Sequence, residues 1–320
     1  MPKLRDYNSL REVAIIGAGL IGAGWATQYL LAGFKVVAWD PAQDWRCRLR
    51  NSVRAALSRL RVEPERQDDL LGKIAFAESC EEAASKADFV QECGPEDLDT
   101  KRSLFAQLCV AAPAHVVIAS STSGLPMSDL QGHCSSPSRL VIGHPFNPVY
   151  LMPLVEIVGG RHTSPEVIDW LAGFYRSMGK EAVVCHKETI GFIANRLQEA
   201  LFREALYMVE ADEATVDQLD KAVRFGPGLR WSFMGPFLTY HTAGGHGGIR
   251  AFFQSFGGTL SQPYSRLPAP ALTEELIGKV VRECEEAYGG LSMEEIDEWR
   301  DRNLQALASE LRPNAVAAEE

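Results

Sequence analysis

The stretch VAIIGAGLIGAGWATQYLLAG, residues 13–33, decides the fold. It opens as a strand of apolar residues, turns through Gly17, Gly19 and Gly22, and continues as a helix that Gly33 ends. In that strand-turn-helix context a G-x-G-x-x-G spacing is a dinucleotide fingerprint. The first glycine permits the tight turn, the second lets backbone approach a pyrophosphate, and the third lets helix pack closely on strand. The first helical turn, with Leu20 and Ile21 between the second and third glycines, offers free N–H groups and a positive dipole end to phosphate. The next strand, KVVAWD, delivers Asp40 about 20 residues beyond Gly17, where a carboxylate accepts hydrogen bonds from the adenosine ribose hydroxyls. That carboxylate repels the 2′-phosphate of NADP, and Pro41 rather than an arginine follows it. The expected cofactor is therefore NAD, and no second nucleotide motif argues for FAD.

Outward from this unit, short β-rich runs alternate with helical ones: DFVQEC, HVVIAS, LVIGH, LVEIVG and EAVVC as strands, with helical stretches over 42–72 and 99–111. That rhythm predicts a parallel sheet with crossover helices, a Rossmann-type doubly wound α/β domain. After Ile190 the strand signals stop. TIGFIANRLQEALFREALYMVE, residues 189–210, repeats apolar residues at helical spacing (Ile193, Leu197, Leu201, Leu206, Val209), with Thr189 as its expected N-cap. The expected organisation is an NAD-binding domain over 1–188 and an all-α substrate and dimerisation domain over 189–320, with a frayed tail at PNAVAAEE.

A chain of 320 residues, 46% hydrophobic and 23% charged, has ordinary globular composition for two such domains. Its net charge of −10 argues against nucleic acid or an anionic membrane as partner. Residues 1–12 lack the apolar run of a signal peptide and no stretch reaches the length of a membrane span, so a cytoplasmic location is expected. The seven cysteines are scattered and include no C-x-x-C pair, which points away from zinc and disulfide frameworks.

Chemistry enters with VIGHPFNPVYLMPLVEIVGG, residues 141–160, where His144 and Glu156 interrupt an apolar run. Burying them has a desolvation cost that requires hydrogen-bond partners, so the pair is either structural or functional. A neutral histidine suits removal of a proton from an alcohol near neutral pH, and a carboxylate on its other ring nitrogen fixes the tautomer.

Taken in order behind the fingerprint, ASSTSGL (119–125), GHPFNPVYLMPLVEIVGG (143–160) and GFIANRL (191–197) resemble the 3-hydroxyacyl-CoA dehydrogenase superfamily over nearly the whole chain. The resemblance implies an oxidoreductase whose catalytic residues are Ser123, His144, Glu156 and Asn195, with Ser123 and Asn195 holding the alcohol oxygen and Asn195 supplied by the helical domain. It also places Glu96 and Lys101, in GPEDLDTKRSLF (94–105), near the nicotinamide ribose, and implies a homodimer paired through the helical domains.

Two departures bear on the substrate. The acyl-CoA branch usually reads SNTS where this chain has SSTS, and the region that carries its lysine-rich arm here contains arginines and no lysine over 42–67. The second domain, with FGPGLRWSFMG at 225–235, resembles instead the branch that oxidises free 3-hydroxy acids, the carnitine and gulonate dehydrogenases, and matches the former more continuously. L-Carnitine carries a trimethylammonium, which aromatic faces bind, and a carboxylate, which a guanidinium binds. The expected substrate residues are Phe146, Tyr150, Phe192, Trp231, Phe233 and Tyr240 for the cation and Arg230 for the carboxylate. L-Gulonate, a short-chain 3-hydroxyacyl-CoA, and a crystallin-like structural role without turnover remain the alternatives.

Overall fold

The computed structural model describes residues 3–261 and 273–288, together with 290–292, 295, 296, 299, 302, 303 and 306. The tail over 313–320 lies outside the described residues. Compact packing divides the chain into Met1–Leu197 and Gln198–Glu320.

The first unit holds eight strands: β1 Glu12–Ile16, β2 Lys35–Trp39, β3 Ile74–Phe76, β4 Phe89–Glu92, β5 Val117–Ser120, β6 Leu140–Pro145, β7 Leu154–Gly159 and β8 Glu181–Val184. They form one sheet in the order β3-β2-β1-β4-β5-β6-β7-β8. Its helices are α1 Leu20–Leu31, α2 Trp45–Arg59, α3 Pro64–Leu71, α4 Cys80–Ser85, α5 Leu98–Ala111, α6 Met127–Leu130, α7 Pro165–Ser177 and the start of α8 Ala194–Glu210. β4 and β5 are buried at every position, as strands covered by helices on both faces must be. Two hydrophobic clusters occupy those faces, one around Trp25, Tyr29 and Phe174, the other around Phe105, Ile118 and Ile142. The strand order reverses between β1 and β4, and ligands of such sheets bind beyond the carboxyl ends of the strands at that switch point.

The sheet departs from the expected parallel pattern at β7, which pairs antiparallel with β6, while β8 runs parallel to β7. The hairpin-like return through 146–153 is too short for a parallel crossover, which needs a dozen or more residues. The expected helical stretch over 42–72 is two helices, because Arg61 takes a left-handed φ of 56° and Pro64 starts α3 afresh. Strand β3 and helices α4 and α7 go beyond the elements that the sequence pattern predicts.

Thr189 is not the N-cap of α8. Gly191 (φ 73°) and Phe192 (φ 50°) adopt left-handed conformations that stop a helix from starting earlier. The first N–H groups of α8 are met instead by a carboxylate from β7, described below.

The second unit contains the rest of α8, then α9 Val216–Phe225, α10 Pro227–Trp231, α11 Pro236–Ala243, α12 Gly248–Ser261 and α13 Glu274–Tyr288. A capping box between Thr215 and Gln218 starts α9. Small cores form around Met234, Leu238 and Ile296, and around Ile249 and Val281. Among the described residues no helix is long and apolar enough to cross a membrane, and no cluster of three metal-ligating side chains occurs.

Candidate active site

The glycine loop follows β1. Gly17 sits at φ +103°, and a Cβ there would meet the Cys93 carbonyl oxygen at 2.5 Å, so only glycine passes this turn. A Cβ on Gly22 would lie 1.9 Å from the Gly17 carbonyl oxygen, which is the close helix-to-strand approach the fingerprint requires. At Gly19, the N-cap of α1, nothing lies within 4 Å of a Cβ position, and the next residue, Leu20, is 72% exposed. Open space before a helix N-terminus is what a pyrophosphate needs. Asp40 ends β2, where its carboxylate accepts from Ala18 N at 2.7 Å and from Ala42 N at 2.9 Å. Each oxygen retains a lone pair for a ribose hydroxyl. These residues fit a dinucleotide.

The antiparallel register places His144 directly opposite Glu156, so both side chains project from one face of the sheet. His144 Nδ1 and Glu156 Oε2 are 2.9 Å apart, and both residues are buried. The other carboxylate oxygen, Oε1, accepts from Ile193 N and Ala194 N, each at 2.9 Å. Glu156 thereby caps α8, where the helix dipole favours an anion. Burial pushes this carboxyl up, but the hydrogen bond from the His144 ring and the two N–H donors outweigh it and hold Glu156 below the usual carboxylate range. With the Nδ1 proton donated to an ionised Glu156, His144 keeps its Nε2 lone pair for a proton. Phe146 and Phe192 flank the imidazole, with ring centroids at 5.2 and 5.3 Å.

One residue beyond Ala194, Asn195 Nδ2 donates to the Ser123 carbonyl oxygen at 3.3 Å, so α8 and the loop after β5 meet. Ser123 N and Gly124 N both donate to Glu96 Oε1 at 2.9 Å, and Thr122 Oγ1 donates to the same oxygen at 2.6 Å. Burial raises the Glu96 carboxyl, yet the Thr122 hydroxyl, the Lys101 charge and the two N–H donors together keep it below its ordinary value. Hydrogen bonds thus run from His144 through Glu156 to the start of α8, and from Asn195 through Ser123 to Glu96.

The remaining candidates have partners of their own. Lys101, expected at the cofactor, is 1% exposed, and its ammonium lies on Glu92, 2.7 Å from Oε1. Glu92 on β4 supplies the buried anion that compensates this ammonium, a partner that nothing in the local sequence pattern announces. Phe192, expected at the substrate, is 1% exposed and forms a shelf beneath the His144 ring. Tyr150 is turned toward α2, where Arg59 Nη1 donates to its hydroxyl at 3.4 Å. Its loop is held by Lys180, a buried ammonium that donates to the carbonyls of Val149 and Met152 and whose pKa desolvation lowers to about 8.

In the second unit the expected aromatic residues lie on both sides of Gly235, the N-cap of α11. Phe233 packs edge-on against Trp299 at 5.3 Å, Tyr240 lies over Phe252 at 4.7 Å, and Trp231 is 43% exposed. Arg230 is exposed on α10.

Ser121, the position that departs from SNTS, accepts from Trp25 Nε1 at 3.2 Å and from Gln91 Nε2 at 2.9 Å. Trp25 is fully buried between Tyr29 and Tyr175, so its indole N–H requires an acceptor here. Ser121 thus serves the packing beneath the loop.

Two family models match the chain in succession: the 3-hydroxyacyl-CoA dehydrogenase NAD binding domain over residues 12–189 and the 3-hydroxyacyl-CoA dehydrogenase C-terminal domain over residues 191–283. The L-carnitine dehydrogenase of Streptomyces griseus is 49% identical over 92% of this chain and 88% of its own length. That of Streptomyces coelicolor is also 49% identical, over 92% of this chain and 93% of its own. Among solved structures, 5-formyl-3-hydroxy-2-methylpyridine 4-carboxylic acid 5-dehydrogenase superposes with a TM-score of 0.72 at 28% identity, covering 94% of this chain and 97% of that one. With its glycine fingerprint, Asp40 and both domains matched in order, the chain is an NAD-dependent oxidoreductase and belongs to the 3-hydroxyacyl-CoA dehydrogenase family.

Proposed function

We propose that this protein oxidises L-carnitine at its 3-hydroxyl to 3-dehydrocarnitine. The observation that carries the reading is the buried His144–Glu156 pair, 2.9 Å apart, on an NAD-binding domain whose relatives of that activity are 49% identical. The glycine loop and Asp40 would hold NAD, which would supply the acceptor for the C3 hydride. His144 Nε2 takes the hydroxyl proton, and Glu156 holds the tautomer and balances the imidazolium. Ser123 and Asn195, as short neutral donors, position the alcohol oxygen. Half-buried Phe146 supplies an apolar wall beside the base. In chemical type the Arg230 guanidinium suits a carboxylate and the exposed Trp231 ring suits a trimethylammonium, an attraction of about 0.5–2 kcal/mol depending on desolvation.

Initial rates of NADH formation test this. L-Carnitine should exceed L-gulonate and 3-hydroxybutyryl-CoA in kcat/KM, and a neutral tert-butyl analogue of carnitine should lose roughly 0.5–2 kcal/mol of transition-state stabilisation. Preference for gulonate, or equal use of the neutral analogue, overturns the carnitine assignment and leaves a dehydrogenase of another 3-hydroxy acid.

The active form is proposed to be a homodimer through the helical unit. Leu197, Leu201, Phe202 and Leu206 on α8 are 59, 41, 61 and 50% exposed, an apolar stripe of the kind that marks a protein contact. Sedimentation should give the mass of two chains, and Leu201→Glu should shift it toward one; a monomeric wild type overturns the proposal.

A further inference from the structure

The reaction proposed above gives no part to a buried amide in the middle of the sheet. Gln91, on β4, is 0% exposed. Its Oε1 accepts from Tyr29 Oη of α1 at 2.9 Å and from Tyr175 Oη of α7 at 2.7 Å, and its Nε2 donates to Ser121 Oγ at 2.9 Å. Ser121 Oγ also accepts from Trp25 Nε1, so both of its lone pairs are taken and its own proton is left for Cys93 Sγ, 3.3 Å away. Cys93 Sγ in turn faces the Gln91 carbonyl oxygen at 3.9 Å. Desolvation raises both phenols and pushes the Cys93 thiol up to about 12, so each keeps its proton near neutral pH. Donors and acceptors therefore fall into one directed chain.

Hydrocarbon of the same shape could fill this volume with little change in stability, because paired buried polar groups gain little over apolar ones. What a satisfied network adds is a single specified packing. Each arm of this one ends against a part of the site. Ser121 stands two residues before Ser123, on the loop that follows β5. Tyr175 Oη reaches beneath β6 at Gly143, the residue before His144, where any Cβ would overlap the hydroxyl. Cys93 abuts the fingerprint turn, its carbonyl oxygen facing Gly17.

We infer that Gln91 is a positioning residue that holds the Ser123 loop at a fixed placement against the His144 strand, the link running from Tyr175 through the amide to Ser121. Fully enclosed, Gln91 acts through those two side chains. The inference rests on the reading of Ser123 and His144 as substrate-facing groups.

Tyr175→Phe in the full-length protein cuts the link without stranding a group, since Tyr29 still donates to Gln91 Oε1 and the ring still fills the space under Gly143. With L-carnitine and NAD, kcat per folded molecule should fall about tenfold through misplacement of the loop, while NADH affinity, read by fluorescence titration, stays within about twofold of wild type. Gln91→Met/Tyr29→Phe/Tyr175→Phe replaces the whole cluster by hydrocarbon. It should melt near wild type and lose at least as much kcat. Wild-type kcat in either variant overturns the inference, because the amide is then packing alone. A parallel loss of kcat and NADH affinity overturns it too, as the mark of a generally loosened domain. If the triple variant does not fold, Tyr175→Phe decides alone. Parallel rates on L-gulonate and 3-hydroxybutyryl-CoA keep the two readings apart: a wild type inactive on L-carnitine overturns the substrate assignment, and the ratio of variant to wild type is then read on the compound that reacts.

Discussion

His144→Ala should lower turnover by about 10²–10⁴-fold, the usual contribution of a positioned general base, while NADH affinity stays near that of wild type. The separation of the two effects follows from placement: His144 sits on β6, whereas the dinucleotide elements follow β1 and β2. Glu156→Gln should be nearly as damaging, for a reason specific to this site. The Glu156 Oε1 atom accepts two N–H groups from the start of α8, and an amide must present its only oxygen there. The amide nitrogen would then face His144 Nδ1 as a donor, which forces the ring proton onto Nε2 and removes the lone pair that accepts the substrate proton. Near-normal turnover in His144→Ala shows that the ring is structural, and mild loss in Glu156→Gln shows that the tautomer is set elsewhere.

Gly22→Val should abolish NADH binding or folding. Even the Cβ of the new side chain falls 1.9 Å from the Gly17 carbonyl oxygen and 3.3 Å from Ile15 Cγ2. The obstacle is backbone at the end of a buried strand, so α1 must lift from β1 and carry its N-terminus away from the phosphate position. A displacement of about 1 Å at such a site costs on the order of 10²-fold. Melting temperature and NADH titration measured together separate the routes, and a variant that melts and binds like wild type overturns the close-packing argument. Gly33→Ala is the contrasting case: its φ of +95° makes alanine strained, yet nothing lies within 4 Å of the added carbon.

What is legible in the sequence is local. The fingerprint, Asp40 and the His144–Glu156 spacing are each read within one or two elements, and the register of β6 with β7 brings the last pair together. β3 is too short to register as a strand, with three residues, Ile74–Phe76, that take their regularity from pairing with β2. Lys101 escapes a local reading because its environment depends on Glu92 and on Ser120 across the sheet, and no periodicity reports that a lysine near a helix start points inward. The N-terminus of α8 is hidden for a related reason, since its cap is a side chain from β7, 37 residues earlier than Ile193. Aromatic spacing over 231–240 likewise says nothing of Trp299 and Phe252, the rings that Phe233 and Tyr240 choose.

The reversal of β7 separates a pair fixed by strand register from a connecting loop with an exposed tip. The His144–Glu156 contact is indexed by strand register, and a slip of one residue would turn Glu156 to the opposite face of the sheet. The chain between them, over 146–153, is a connecting loop whose Phe146 lies beside His144, whose Val149 is buried and whose Val149 and Met152 carbonyls are held by Lys180, so only the exposed side chains of Leu151, Met152 and Pro153 can change without disturbing either strand. Change at that exposed tip leaves the register of His144 with Glu156 untouched, a modularity built into the hairpin.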